Sequence, residues 1–311
     1  MKKAIALAVL ATAVLATSAA AGVAAVSGTI TADGSSTVGP YAIAAAEGFQ
    51  KRNRQARVTV GISGTGGGFE RFCRNETDLA NASRPMRNSE AILCRDAGVK
   101  WIAFTVANDG LSVVVNRQNT WVNCLTTAEL KKIWEPGSQV DNWNDVRASF
   151  PDVPLKLFGA GTDSGTFDYF TEAINGRARA SRSDYLATED DNVVVQGVSG
   201  ERGALGYFGF SYYEENKSRL KVLAIDAGKG QGCVTPSIAT VQQNKYRPLS
   251  RPLFIYAKRS SFKRPVVAAY FGYIFNNEKA IAKQAGFIAL TDRQLKKARY
   301  QYLQALKSNN T

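Results

Sequence analysis

The 311-residue chain contains no histidine. Every nucleophile–imidazole relay is thereby excluded, as is every His-ligated zinc or iron site. Cysteine is scarce: four residues, at 73, 94, 124 and 233, form no CxxC pair, so neither a zinc ribbon nor a thioredoxin-like motif is supported. No internal repeat, low-complexity tract or long linker interrupts the chain. Nor is there a dense Lys/Arg stripe with interleaved aromatics, which argues against nucleic acid as a partner. SGTGGG (63–68) lacks the GxxxxGK[ST] spacing and no lysine follows it, while GTGGGF departs from GxGxxG. Nucleotide phosphates are therefore not the expected ligand, and no cofactor or metal is implied.

One long apolar run exists, at the start. MKKAIALAVLATAVLATSAAAG opens with Lys2 and Lys3 and continues through an apolar stretch shorter than the ~20 residues a membrane-spanning helix needs. Small residues follow, with Ala19 and Ala21 at the positions a signal peptidase reads. The expectation is a signal peptide over residues 1–21, with cleavage after Ala25 as the alternative, and export to the periplasm. No cysteine lies near the cut, which argues against a lipid-anchored form. Disulfides persist in that compartment. Four cysteines allow three connectivities, and the expected one is Cys73–Cys94 with Cys124–Cys233. The first pairing closes a loop of about twenty residues, contributing roughly 3 kcal/mol in the chain-entropy view.

The rest is the composition of a globular protein, 45% hydrophobic and 21% charged, long enough for two domains. A net charge of +13 favours anionic partners at long range, although solubility alone can account for it. Strand-like and helix-like segments alternate from Gly28 onward, which predicts parallel α/β sheets. WIAFTVANDGLSVVVN reads as a strand pair with NDG between its halves, and Thr126 with Glu129 reads as a capping box opening TTAELKKIWE. Two helices, in PVVAAYFGYIFNNEKAIAKQAG and TDRQLKKARYQYLQALK, are expected to finish the chain.

Four loops share one design, a strand followed by Gly with Ser or Thr and then a helix start: DGSSTVGP (33–40), SGTGGGF (63–69), NASRP (81–85) and GTDSGTF (161–167). A helix start exposes unpaired N–H groups and a partial positive charge, and hydroxyls add donors in little space. A dehydrated tetrahedral oxyanion needs such donors from several directions at once. Taken singly, each loop is more often a plain helix cap.

In this order DGSSTVGP, VTVGISGTGGGFERFC, DLANASRP, NDGLSVVVN, LKKIWEPGS, FGAGTDSGTFDYFTEAI, EDDNVVVQGV and GALGYFGFSYYEEN resemble the phosphate-binding proteins of ABC-type phosphate importers, the PstS family in its SphX-like branch. The resemblance runs from about residue 28 to about residue 257. It implies a type II periplasmic binding protein fold, with two α/β lobes, a hinge and a ligand cleft between them. It places one lobe at 28–105 plus 251–311 and the other at 106–250. The implied partners are inorganic phosphate and membrane permease subunits, met as a monomer without enzymatic activity. By position, Ser36, with Ser35 beside it, matches the family's first-loop donor, and Thr65 stands where the family has a ligand-contacting serine. Ser164, Gly165 and Thr166 match the family's SGT run.

Two positions depart from the long-type family pattern: Arg84 replaces an aspartate, and Ala160 replaces an arginine. The resemblance then implies that Arg84 supplies the guanidinium from the opposite lobe, through paired N–H donors. The carboxylate that would accept the proton of phosphate is displaced, and Asp163 and Asp191 are the candidates. Asp163 reads first as a cap of the following helix and second as a ligand contact. Three other readings stay open: a binding protein for sulfate or molybdate, an exported hydrolase using Ser164, and a surface protein with an incidental anion site.

Overall fold

A computed structural model describes residues 26–162, 164–188, 190–228 and 230–307. The expected signal segment, with both cleavage positions, and the candidate Asp163 lie outside these residues. The strands, in chain order, are β1 (Gly28–Gly34), β2 (Ala56–Val60), β3 (Leu79–Ala82), β4 (Trp101–Asn116), β5 (Cys124–Thr126) and β6 (Lys156–Ala160). They continue as β7 (Leu186–Thr188), β8 (Ala204–Gly209), β9 (Leu220–Val222), β10 (Ala224–Asp226), β11 (Cys233–Val234) and β12 (Ser250–Lys258).

The main sheet runs β2-β1-β3-β12-β4-β8-β6-β7, with β9 paired to β4, and β11-β10-β5 form a small second sheet. Parallel pairing holds for β1 with β2 and β3, and for β6 with β7 and β8. The sheet is nevertheless mixed, because β12 runs antiparallel to β3 and β4, and β4 runs antiparallel to β8. The purely parallel expectation fails at the two strands that carry the chain between its halves. These two strands run antiparallel to the neighbours on both sides and so separate the parallel set β2-β1-β3 from the parallel set β8-β6-β7.

The expected turn at NDG does not exist. Asn108, Asp109 and Gly110 pair with Pro252, Arg251 and Ser250, so β4 continues as one 16-residue strand. Gly110 serves packing here, since a Cβ would stand 2.8 Å from a Val241 methyl. The turn-like tripeptide is held extended by a partner strand that local pattern cannot reveal.

Two main apolar cores flank the sheet. One gathers Ile30, Phe49, Phe104, Ile255 and Phe271, and the other gathers Leu111, Trp134, Trp143, Phe170 and Tyr207. Ile288, late in the chain, belongs to the second core and bridges the backbone of Asn108. The helix Gly39–Arg52 shows how local sequence serves the first core: Pro40 suits its opening turn, and Ala42, Ala45, Ala46 and Phe49 are buried. The capping box of the helix Thr127–Trp134 forms as expected: Glu129 N–H donates to the Thr126 hydroxyl at 3.1 Å, and Thr126 N–H donates to the Glu129 carboxylate at 2.8 Å. Helices Pro265–Gln284 and Asp292–Lys307 close the chain. Disulfides Cys73–Cys94 and Cys124–Cys233 tie helix to helix and β5 to β11. Among the described residues, no helix is long and apolar enough to cross a membrane.

Candidate functional site

Three of the four glycine–hydroxyl loops line one cavity between the two cores, and the fourth adjoins it. The cavity, about 270 Å³, is bounded by Ser35, Ser36 and Thr37, by Gly64, Thr65 and Gly66, and by Ser83, Arg84 and Arg87. Its opposite wall is Asp168, Tyr169, Glu172 and Ala178, and Arg251 closes one side.

The first three loops leave β1, β2 and β3, which are neighbours in the sheet, so their ends emerge side by side. Buried Asp33 binds two of the loops together: its Oδ1 accepts from Gly34 N–H at 2.7 Å and from Ser63 N–H at 3.0 Å, and Arg71 pairs with Oδ2. Gly68 allows the helix Gly64–Cys73 to lie against β1, because a Cβ there would stand 2.4 Å from the Gly34 Cα. Ser35 is buried, its hydroxyl accepting from Val38 N–H at 3.4 Å. The Thr65 and Ser83 hydroxyls lie 3.2 Å apart, and Ser83 N–H donates to Thr65 Oγ1 at 3.3 Å.

The fourth loop opens the helix Gly165–Asn175. Ser164 is its N-cap, its hydroxyl accepting from Thr166 N–H at 3.1 Å. The same hydroxyl keeps its own proton for donation, and with no histidine in the chain no imidazole is present to remove it. Gly165 meets the first loop directly, since a Cβ there would lie 2.6 Å from the Thr37 nitrogen. Ser164, Gly165 and Thr166 thus form the turn behind the wall, and the next turn presents Asp168, Tyr169 and Glu172 to the cavity. Asp191 stands in the first turn of the helix Asp191–Gly200 and is not among the cavity-lining residues.

Arg84 faces the cavity but is already engaged. Its Nη1 and Nη2 donate to the two Glu90 carboxylate oxygens at 2.8 and 2.7 Å, and Nη1 also reaches the Pro85 carbonyl at 3.1 Å. Burial opposes the charge of Glu90, yet hydrogen bonds from Arg84 and from the Arg87 N–H hold its carboxyl below the ordinary glutamate value. The fork is therefore oriented by a carboxylate, with its remaining N–H groups left for other acceptors.

A second guanidinium, Arg251 on β12, was not legible as a site residue. Its Nη2 donates to the Thr37 hydroxyl at 2.8 Å, which in turn donates to the Gly165 carbonyl at 3.1 Å. This relay links β12, the first loop and the fourth loop. Asp109 lies opposite, at 3.4 Å from the Arg251 Nε. Burial pushes the Asp109 carboxyl up, against the pull of Arg251. A second cross-cavity bond runs from the Ser36 hydroxyl to Asp168 Oδ2 at 3.3 Å, while Arg179 pairs with Asp168 Oδ1 at 3.2 Å. At the rim, Arg87 and Glu172 approach to 3.8 Å, both largely exposed.

Ser164, Asp168 and Glu172 recur every four residues and so lie along one helix face, a signal that could have added the two acids to the candidates. Arg251 offers no such signal, because it stands at a strand start next to Pro252.

Comparison with known proteins agrees with this architecture. The PBP superfamily domain model matches residues 19–278. A protein SphX from Synechococcus elongatus is 49% identical over 263 residues, covering 84% of this chain and 77% of that one. The phosphate-binding protein PstS of Staphylococcus saprophyticus is 36% identical, covering 85% of this chain and 81% of that one. A crystal structure described as a possible phosphate binding protein from Planctomyces limnophilus superposes with a TM-score of 0.88 at 46% identity, covering 90% of this chain and 99% of that one. With its two cores, shared crossing strands and intervening cavity, the chain belongs to the PBP superfamily of two-lobed binding proteins, among the relatives of SphX and PstS.

Proposed function

We propose that this protein binds inorganic phosphate in the cavity between its two cores and delivers it to the permease of an ABC-type importer. The observation that carries the reading is the convergence of hydroxyls from Ser35, Ser36, Thr37, Thr65 and Ser83 with the guanidiniums of Arg84 and Arg251 on one small cavity. Such a donor set replaces the water shell of a tetrahedral oxyanion from several sides. The SphX and PstS relatives support phosphate as that oxyanion.

Selectivity requires an acceptor, because phosphate keeps a proton that sulfate lacks. Asp168 fills that role in this reading: it lines the cavity, and its position beside Ser36 sets it against the first loop. In this reading Ser164 and Thr166 add hydroxyl donors from the fourth loop, which already meets the first loop through Thr37 and Gly165. We assign the lobes to residues 28–105 plus 251–311 and to 106–250, with Ile288 packing across the joint. The protein acts as an exported monomer in the periplasm and catalyses no reaction.

Calorimetric titration with phosphate, arsenate and sulfate at several pH values tests the reading. Phosphate and arsenate are expected to bind, with sulfate weaker by about a hundredfold or more. Sulfate binding as tight as phosphate would remove the acceptor role, and no phosphate binding would remove the function.

A further inference from the structure

At the far end of β12 from Arg251, roughly 23 Å away at about 3.3 Å per residue, lies a separate recess. It measures about 430 Å³ and is lined by Lys100, Lys258, Arg259 and Lys263 together with Asn75, Ser260 and the turn Ala97–Val99. No acidic residue is part of that lining.

Lys258 sets this recess apart from an ordinary basic surface. The residue is only 8% exposed, and among the described residues its ammonium has no hydrogen-bond or ion-pair partner. It lies 5.5 Å from the centroid of the Phe72 ring. Asp78 attracts it by charge, but the Asp78 carboxylate is occupied by Arg264 at 2.5 Å and by Thr31 N–H at 3.0 Å. Desolvation disfavours the charged form of the Lys258 ammonium, against the attraction of Asp78, and an anion in the recess would favour that charge. The backbone holds the group in place all the same: Lys258 N–H donates to the Asp78 carbonyl at 3.4 Å, and Arg259 N–H to the Lys100 carbonyl at 2.9 Å.

We propose that this recess is a second anion site, distinct from the cleft, and that it takes a soluble oxyanion with two or more phosphoryl-type groups. The ammoniums of Lys100, Lys258 and Lys263 around one recess exceed the charge of a single tetrahedral ion, whereas a diphosphate can balance all three. The recess is also larger than the cleft cavity, at about 430 against 270 Å³. The inference does not depend on the cleft reading, since the two cavities share no residue.

Titration of the purified protein with inorganic pyrophosphate, in the presence of saturating phosphate, tests it. Pyrophosphate is expected to bind under these conditions. The Lys100→Ala/Lys263→Ala variant, changed only at exposed positions, is expected to bind it about tenfold more weakly or worse, with phosphate affinity within about twofold of wild type. Lys258→Met, with its fold verified by thermal melting, is expected to lose the binding altogether. Absence of pyrophosphate binding to the wild-type protein, its abolition by phosphate, or full affinity in the double variant would overturn the proposal.

Discussion

The Arg251 guanidinium carbon lies 3.3 Å from the centroid of the Tyr169 ring. One residue comes from the strand shared by both halves, and the other from the helix that forms the cavity's far wall. The Tyr169 hydroxyl donates to the Pro248 carbonyl at 2.8 Å, so the ring is fixed at both ends and Arg251 is stacked against a rigid plate.

Arg251→Lys keeps the charge but loses both the planar stack and the fork. Phosphate affinity measured by calorimetry is expected to fall about tenfold or more. An affinity within about twofold of wild type would mean that Arg251 is structural only.

Arg84→Ala is expected to weaken phosphate binding by at least about tenfold. Glu90→Gln separates orientation from charge, since the amide still accepts from one Arg84 nitrogen but no longer pairs with both. A smaller loss than that of Arg84→Ala is expected. Unchanged affinity in the alanine variant removes Arg84 from the site.

Gly165→Ala places a methyl 2.6 Å from the Thr37 nitrogen, where backbone rather than a flexible side chain must yield. The contact lies between the two walls of the cavity, so the effect should fall on closure. Phosphate affinity is expected to drop about tenfold or more while the ligand-free melting temperature stays within about 2 °C of wild type. A large fall in the ligand-free melting temperature would place Gly165 in the fold itself.

Glu278 provides a pH test of stability. It is buried, Leu290 N–H donates to its Oε1 at 2.6 Å, and its Oε2 has no partner among the described residues. Burial raises its carboxyl above the ordinary value of 4.5. The protonated form is favoured in the folded state, so this stabilisation is complete below pH 4.5 and is lost as pH rises through the folded value. Glu278→Gln is therefore expected to raise the melting temperature at pH 8 by roughly 2–4 °C and to change it little at pH 4. An equal effect at both pH values contradicts the assignment.

The loops that meet at the cavity were legible because glycine, hydroxyl and helix start fall together in sequence, as in SGTGGG and TDSGT. Their convergence was not, because it depends on β1, β2 and β3 lying side by side. Arg84 was readable as a departure from a family pattern, but its pairing with Glu90 required the helix Asn88–Asp96 to fold back on the third loop. Arg251 was hidden for the same reason that NDG was mistaken for a turn. The pairing of β4 with β12 joins segments more than a hundred residues apart, and neither segment carries a local mark of the other.

The unbroken course of β4 has a consequence for how the molecule is assembled. Ile102, Phe104 and Val106 point into one core, and Leu111, Val113 and Val115 into the other, along a single ribbon. A slip of one residue would send these side chains to the opposite faces of the ribbon, which pack on the clusters around Phe69 and Val194 and have no room for them. The ribbon thus reports on both halves at once, its first part aligned by β12 and its second by β8 and β9.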